Sequence, residues 1–269
     1  MPRPIDHVRS LLFLPASNPR AVAKARTLPA DLVILDLEDA VADGDKAAAR
    51  EAAIAAARED WGGRLLGVRV NGTGSSWHDD DVAALRSLAG IAVAVLPKAK
   101  DPRVVERVGE RLGLPLLAMI ESARGVRAAC DIAALPQVTG LIAGANDLAA
   151  DLRMPAASGR AGLAPSLHLI LLAARAAEVA AFDGVYNRID DAAGFEEDAR
   201  AGWLAGFDGK SLIHPSQVDP TNRLFGPSPE ELEEAQAMVE AARGGAERFR
   251  GRMIEVMHVA QARRTIARG

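Results

Sequence analysis

Eight short apolar runs recur along the chain, and amphipathic segments separate them. Each run is too short for a buried helix and is typical of a mostly apolar, parallel β-strand. The runs cover residues 10–14, 32–37, 65–70, 92–96, 115–120, 140–143, 180–185 and 210–213, and helices are predicted between them, for example over 45–59, 82–88, 102–112 and 167–179. This alternation indicates an α/β fold, a (β/α)8 TIM barrel, with a doubly wound open sheet as the alternative.

The last part of the chain follows a different pattern. Ser228 stands before Pro229 and Glu231, so it can cap a helix that begins with proline and completes a capping box. A glycine pair would end that helix, and a short hairpin and a last helix would follow. We therefore predict a TIM-barrel domain over 1–225 and a C-terminal lid or oligomerisation segment over 226–269.

Charge and cysteine content exclude several classes of protein. The 269 residues carry 32 basic and 36 acidic side chains, a net charge of −4, without a basic stripe, so nucleic acid is not an expected partner. The sequence has no run of about 20 apolar residues and no apolar signal segment, so we expect neither a membrane partner nor export. Cys130 is the only cysteine, which excludes an intrachain disulfide and agrees with a cytoplasmic location.

Polar side chains concentrate at or just past the carboxyl ends of the predicted strands. In parallel barrels this end carries the catalytic groups, so these residues form the candidate site. They are Asp36, Glu38, Asp39, Arg69, Asn71, Lys98, Glu121, Asn146, Asp147, Asp183, Asn187 and His214.

Glu121 and Asp147 follow consecutive predicted strands, so one β–α repeat would bring both carboxylates to the same end of the barrel. Two carboxylates without histidine or cysteine favour Mg2+ or Mn2+ and leave positions open for water and substrate. A metal bound in this way can chelate a 2-oxo or 2-hydroxy acid, and Arg69 can form a bidentate pair with the acid's carboxylate. A structural ion-pair network of the same three residues is the alternative.

Three acids lie within four positions at the end of the second run. In a strand Asp36 and Glu38 share one face, so we expect both to point into the barrel mouth while Asp39 points elsewhere. Crowded carboxylates have raised pKa values, which suits an acid or base near neutrality. Glu38 and Asp39 are therefore candidates for proton transfer, and a cluster that caps the next helix is the alternative.

Several motifs in one order carry a family resemblance. They are RSLLFLP from residue 9, DLEDAV from residue 36 with Lys46 and Arg50 after it, RVN from residue 69, PK from residue 97, IESARG from residue 120, GANDL from residue 144 and GFDGKSLIHPSQ from residue 206. As an ordered set they resemble the citrate lyase β-subunit family, within the wider class of metal-dependent aldolases and acyl-CoA lyases. The resemblance covers about residues 9–225.

The resemblance implies an enzyme with a TIM barrel, Mg2+ on Glu121 and Asp147, and a 2-oxo acid bound by Arg69. Family members cleave or form a carbon–carbon bond between a 2-oxo acid and an acyl group, usually a CoA thioester. Malyl-CoA lyase and citramalyl-CoA lyase are relatives. A homotrimer or hexamer is also implied, with the C-terminal segment reaching over a neighbour's site.

Further basic residues are substrate-binding candidates. Cleavage would form a thioester enolate, which backbone N–H groups or Lys98 would stabilise. Arg9 opens the first matching motif. Lys24 and Lys46 would contact CoA phosphates, although a solvated helix charge is the commoner role of such a lysine.

Three departures from the family pattern leave alternatives open. Glu255 stands where longer relatives have an aspartate that acts as acid or base in the adjoining subunit, and its extra methylene would displace the carboxylate. Asn146 replaces a common glutamate, and residues 166–170 lack the basic side chains expected for CoA. A CoA-independent 2-oxo-acid aldolase and a catalytically altered subunit that binds oxo acid or CoA are therefore alternatives to the lyase.

Overall fold

A computed structural model describes residues 5–269 and contains a closed barrel of eight parallel strands. Each strand pairs with the next along the chain, and the last pairs with the first. The strands are β1 (Ser10–Pro15), β2 (Leu32–Asp36), β3 (Leu65–Arg69), β4 (Val93–Leu96), β5 (Leu116–Ile120), β6 (Val138–Ala143), β7 (Ala180–Asp183) and β8 (Gly209–Leu212). The eight predicted strands are confirmed, and the pairing of β8 with β1 excludes the open doubly wound sheet.

Helices follow the strands and form the outer layer. They are α1 (Pro19–Ala25), α2 (Lys46–Ala56), α3 (His78–Leu85), α4 (Pro102–Leu112), α5 (Ala123–Ala133), α6 (Ala145–Asp151), α7 (Gly159–Ala176), α8 (Ala192–Ala205) and α9 (Val218–Phe225), with 3-10 turns at Asp43–Asp45, Ala156–Ser158 and Pro215–Gln217. The predicted bounds hold best for α4, where Asp101 caps the N-terminus and Gly113, at a φ of 62°, ends the helix. By contrast, α3 begins before its predicted start, because three aspartates in its first turn interact favourably with the helix dipole.

The barrel interior is filled by the inward-facing side chains of the strands. Its buried cluster contains Ile5, Val8, Leu11, Leu32, Ile34, Val93, Val95, Leu117, Met119, Ile142, Ala180 and Phe182. Side chains alternate across a strand, so the inward position above Ile34 is Asp36 and the one above Met119 is Glu121. Arg69 lies beside Asp36 in the register of β2 and β3. The polar residues thus stand directly on top of the apolar core.

A second buried polar cluster lies on the outer side of β7 and β8, against α7 and α8. Nζ of Lys210, a fully buried residue, lies 2.9 Å from Oδ2 of Asp183 and 2.6 Å from Oδ2 of Asp198. Arg160 donates to both carboxylate oxygens of Asp183. Phe182 belongs to the core, so Asp183 faces the opposite way. The expectation that Asp183 belongs to the barrel mouth is therefore corrected.

Residues 222–269 form a second compact unit, which begins inside α9 rather than at the predicted residue 226. It contains α10 (Pro229–Ala241), the hairpin β9 (Glu247–Phe249) and β10 (Arg252–Ile254), and α11 (Val256–Ile266). The capping box of Ser228 and Glu231 is present as predicted. Glu255 is exposed at the N-cap of α11, and its N–H donates to Nδ1 of His258 at 3.0 Å. The catalytic role of Glu255 and the lid or oligomerisation role of the unit stay predictions.

The lengths and hydropathies of the helices also bear on membrane insertion. Within residues 5–269, none of the helices combines the length and the apolar character that a membrane span needs.

Candidate functional site

Asp36 binds Arg69 along one edge of the guanidinium. Nε of Arg69 donates to Oδ1 of Asp36 at 2.7 Å, and Nη2 donates to Oδ2. Only 11% of the Arg69 side chain and 2% of the Asp36 side chain are exposed. Burial alone would lower the pKa of Arg69, but the hydrogen bonds and charge of Asp36 outweigh it and raise the pKa above its ordinary value. Arg69 therefore stays cationic, and Asp36 fixes its orientation.

The outer edge of the guanidinium faces two further acids. Nη1 of Arg69 lies 3.3 Å from Oε2 of Glu38 and 3.3 Å from Oδ2 of Asp39. We expected Asp39 to point elsewhere, but β2 ends at Asp36 and the chain then turns. Asp36 stabilises this turn by accepting the N–H groups of Glu38 and Ala40 at 2.9 and 3.1 Å. All three acids therefore meet around one guanidinium.

Glu38 is buried between two cations. Its Oε1 accepts from Nζ of Lys98 at 2.8 Å, whereas its Oε2 has no hydrogen-bond partner in the described part of the chain. Burial is the largest influence on the pKa of Glu38 and raises it. Lys98 and Arg69 lower that pKa and Asp39 raises it, with a net rise above the ordinary value. A raised pKa makes a carboxyl group a better proton donor, so Glu38 is suited to act as an acid.

Glu121 is a buried carboxyl group above the core, with 5% of the residue exposed. Burial raises its pKa to about 8; the charges of Glu38 and Asp147 also raise it, and a hydrogen bond from the N–H of Lys98 lowers it. That N–H lies 2.5 Å from Oε1 of Glu121. Gly144 leaves room for the other oxygen, because a Cβ at position 144 would lie 2.6 Å from Oε2 and 2.4 Å from the Cβ of Glu121.

Asp147 lies in the first turn of α6, where it is exposed and near enough for its charge to raise the pKa of Glu121. Within residues 5–269, no group of three or more histidine, cysteine, aspartate or glutamate side chains is arranged to hold a metal. Mg2+ usually takes one or two protein carboxylates and keeps several waters. A divalent cation would offset the repulsion between Glu121 and Asp147, so the two acids present fit Mg2+ or Mn2+.

The close approach of Gly144 to Glu121 gives a testable prediction. Replacing Gly144 by alanine should displace the Glu121 side chain without removing a carboxylate, because the added methyl group would overlap it. We expect Mg2+ affinity, measured by calorimetry, to fall about 10- to 100-fold, as when groups that orient a ligand are lost. Gly44→Ala is the matched control, since a Cβ at that exposed glycine meets nothing within 4 Å. Equal affinities in the two variants would contradict the prediction.

Other polar residues at the strand ends have structural partners. Asn146 and Asn187 form a reciprocal amide pair, with N···O distances of 3.2 and 2.7 Å. Asn71 is buried and donates to Asp81 at 2.6 Å. His214 caps the 3-10 turn that follows it. The structure therefore brings Asn146 and Asn187 together and gives Asn71 and His214 structural contacts.

Two predicted substrate-binding residues lie away from this group. Arg9 precedes β1, and its Nε and Nη2 each donate to Asp31 at 2.9 Å. Residues before a parallel strand lie at the amino end of the barrel, opposite the candidate site, so the assignment of Arg9 to substrate binding is corrected. Lys24 is exposed in the last turn of α1, which runs back from the carboxyl end of β1. Contact of Lys24 with CoA stays a prediction.

Arg9 also provides a test of this placement. Replacing Arg9 by alanine should leave kcat and KM within about twofold of wild type, because its pair with Asp31 lies at the other end of the barrel. The free energy of unfolding should fall by about 1 kcal/mol, the upper range for a pair of this exposure. Urea denaturation and steady-state kinetics measure the two effects. A large loss of turnover with unchanged stability would show that Arg9 acts in substrate binding or catalysis.

The turn that carries Glu38 and Asp39, the acidic turn, is stabilised by Lys46, a role that the sequence did not reveal. Lys46 is buried, and its Nζ donates to the carbonyl oxygens of Leu37 and Glu38 at 2.8 and 2.6 Å. This contact corrects the expectation that Lys46 binds phosphate. The sequence signal for this structural role was that Lys46 belongs to the same motif as Asp36. A buried lysine needs oxygen acceptors, and the acidic turn supplies them.

The chain is similar to proteins of one family over almost its whole length. The family model described as HpcH/HpaI aldolase/citrate lyase matches residues 9–215. A (3S)-malyl-CoA thioesterase from Cereibacter sphaeroides is 40% identical over an alignment of 269 positions, which covers 97% of this chain and 94% of that protein. Citrate lyase subunit beta from Escherichia coli is 34% identical over 280 residues, with coverages of 97% and 92%.

A solved structure extends this similarity to three dimensions. It is that of CitE from Mycobacterium tuberculosis in complex with magnesium, acetoacetate and coenzyme A. The two chains are 35% identical, each is covered to 98%, and the TM-score is 0.81. The similarity therefore includes the residues beyond the barrel.

Proposed function

The chain belongs to the HpcH/HpaI aldolase/citrate lyase family, and from this premise we propose that it is a Mg2+-dependent carbon–carbon lyase. The proposed substrate is a 3-hydroxyacyl-CoA such as malyl-CoA or citramalyl-CoA. Cleavage would give a short acyl-CoA and a 2-oxo acid. The observation that carries the proposal is the convergence of Glu121, Asp147 and Arg69 at one end of the barrel.

Glu121 and Asp147 would hold the Mg2+, which supplies Lewis-acid polarisation of the substrate's oxygen atoms when bound. Arg69 would bind the carboxylate of the oxo acid through its outer edge, because Asp36 already occupies the edge formed by Nε and Nη2. Lys98, half of whose side chain is exposed, would place a positive charge near the developing enolate. These roles require substrate to displace the contacts of Arg69 with Glu38 and Asp39.

Glu38 and Asp39 are the proposed acid and base. In cleavage one carboxylate would accept the proton of the substrate hydroxyl, and a protonated carboxyl group would later donate a proton to the enolate carbon. Glu38 suits proton transfer because burial and the nearby Asp39 raise its pKa. Asp39 is more exposed, with 58% of its side chain accessible, and so can exchange protons with solvent.

Hydrolysis of the same thioester is a second candidate activity. The observation that favours it is the 40% identity to the (3S)-malyl-CoA thioesterases. Hydrolysis would transfer the acyl group to water and release free CoA and malate. Lyase action would instead leave the thioester intact in acetyl-CoA and release glyoxylate.

One experiment separates these activities. The purified protein is incubated with malyl-CoA and Mg2+, and the products are measured by chromatography. Acetyl-CoA with an equal amount of glyoxylate supports the lyase, whereas malate with an equal amount of free CoA supports hydrolysis. Either activity should disappear with EDTA. Absence of both, with citramalyl-CoA as well, would reject the proposed function, and turnover of a free hydroxy acid would favour a CoA-independent aldolase.

We also propose that the chain forms a homotrimer or hexamer in which Glu255 of one copy completes a neighbour's site. A mixing experiment tests this assignment. Glu121→Gln and Glu255→Gln should each be inactive alone, and oligomers of both should regain activity, since a site can then combine an intact Glu121 with a neighbour's intact Glu255. Without such recovery, Glu255 does not act in a neighbour's site.

A further inference from the structure

We infer that Lys98 is a positioning residue that orients Glu121 through its backbone N–H and Glu38 through its side chain. The inference rests on the proposed function, because it takes Glu121 as a ligand of Mg2+. It goes beyond the proposed function because the conformation of Lys98, which follows β4, would connect the metal ligand Glu121 with the proposed acid–base residue Glu38.

The backbone of Lys98 has a conformation that L-amino acids rarely adopt. Its φ is 54°, in the left-handed region that favours glycine. Such strain persists when the surrounding structure enforces it, and it concentrates at functional sites. Ser87, Arg153, Glu178 and Arg250 also have positive φ, so the inference rests on the contacts that Lys98 makes in this conformation.

The left-handed turn directs two consecutive N–H groups towards the end of β5. The N–H of Lys98 donates to Oε1 of Glu121 at 2.5 Å, and that of Ala99 donates to the carbonyl of Met119 at 3.1 Å. The second bond anchors the turn to the strand that carries Glu121. The first then restricts the Glu121 carboxylate to one orientation, which is how groups around a metal ligand usually act.

The side chain of Lys98 reaches the other acids. Its Nζ lies 2.8 Å from Oε1 of Glu38 and 3.9 Å from Oδ1 of Asp39. Gly72 leaves room for this contact, because a Cβ there would lie 3.2 Å from Oε1 of Glu38 and 3.5 Å from Cδ of Lys98. One residue thus contacts Glu121 and Glu38 by two separate groups.

Three substitutions of Lys98 distinguish its backbone contact with Glu121 from its side-chain contact with Glu38. Each variant is titrated with Mg2+ in a calorimeter. Lys98→Gly favours the left-handed backbone and keeps the N–H, and Lys98→Met keeps the stem but removes the charge. Lys98→Val disfavours the backbone conformation, because β-branched residues rarely have positive φ. We expect Mg2+ affinity at or above the wild-type value in Lys98→Gly and Lys98→Met, and about 10- to 100-fold weaker binding in Lys98→Val.

Equal affinities in Lys98→Gly and Lys98→Val would overturn the backbone part of the inference. Misfolding of Lys98→Val would also weaken Mg2+ binding, so a second measurement keeps Lys98 and uses no metal. The amide proton of Lys98 in the metal-free wild type should be protected from hydrogen exchange, and Glu121→Ala should remove the protection. An unprotected amide would equally overturn this part. If wild type bound no Mg2+ while the amide was protected, the proposed metal site would fail and the contact would stand.

Turnover of the thioester tests the side-chain part. Lys98→Met should lower kcat at least about tenfold while Mg2+ affinity is kept, and Lys98→Arg should restore part of the loss. Wild-type kcat in Lys98→Met would overturn the role of the ammonium group. Activity in none of the proteins, wild type included, would instead reject the proposed function.

Discussion

Replacing Glu121 by glutamine should abolish turnover and weaken Mg2+ binding by at least about 100-fold, beyond the usual effect of changing a residue around the ligands. Glutamine keeps the length of the side chain but removes the charge that a hard cation requires. Asp147 alone, exposed in the first turn of α6, would remain as a protein ligand. Calorimetric titration with Mg2+ and steady-state kinetics measure the two losses.

The same substitution should make the metal-free protein more stable at alkaline pH. Burial raises the pKa of Glu121 to about 8 in the folded protein, against about 4.3 in the unfolded chain. The folded state therefore binds the proton more tightly, and the wild type loses stability as the pH rises from about 4 to 8. Glutamine cannot ionise, so the variant should have the higher Tm at pH 8, and the difference should shrink towards pH 4.

Glu110→Gln is the matched control, since Glu110 is exposed on α4. It should leave metal affinity, turnover and the pH dependence of Tm unchanged. Wild-type Mg2+ affinity in Glu121→Gln would show that Glu121 is not a ligand. Equal pH profiles of Tm for wild type and Glu121→Gln would show that the buried carboxyl group does not strain the metal-free fold.

Replacing Lys210 by methionine should lower the free energy of unfolding by about 3–5 kcal/mol, as when one partner of a buried ion pair is removed. Nζ of Lys210 lies 2.9 Å from Asp183 and 2.6 Å from Asp198, and the lysine is fully buried. Methionine fills similar space but offers no donor. Because Arg160 still pairs with Asp183, we expect the lower part of this range. Urea denaturation measures the loss.

The decrease in the free energy of unfolding of Lys210→Met should depend on pH. Burial raises the pKa of Asp183, but the charges and hydrogen bonds of Lys210 and Arg160 outweigh burial and hold the pKa below its ordinary value. A lowered folded pKa means that the pairs stabilise above the unfolded value of about 3.9 and weaken as the pH falls below it. The difference between wild type and Lys210→Met should therefore be largest near neutrality. Lys100→Met, at an exposed lysine, is the control, and equal stability of both variants would contradict the prediction.

The barrel was predictable because its strands are apolar on both faces and its helices are not. The location of Glu121 and Asp147 at the carboxyl end of the barrel also followed from the sequence, because each comes after one of two consecutive strands, β5 and β6. The same rule explains one correction. Arg9 stands before its strand, so position alone placed it at the amino end, although it belongs to a matching motif.

Other features depended on contacts between distant parts of the chain. The direction of Asp39 was missed because strand alternation stops where β2 ends and a turn begins. The conformation of Lys98 has no signal in a Pro-Lys pair, since positive φ is rarely assigned to lysine. Gly144 likewise gives no hint that it adjoins Glu121, because this contact joins the ends of two strands.

The position of the acids directly above the apolar core affects how such a chain can diverge. A change of volume at Met119 or Ile34 alters both the packing of the barrel and the seating of the polar residue two positions later. Exposed positions beyond the strands, such as Asn146 in the first turn of α6 and Asn187 in the loop after β7, do not carry both constraints. We therefore expect new substrate ranges to evolve by substitution at such positions, with the metal ligands and the layer beneath them inherited together.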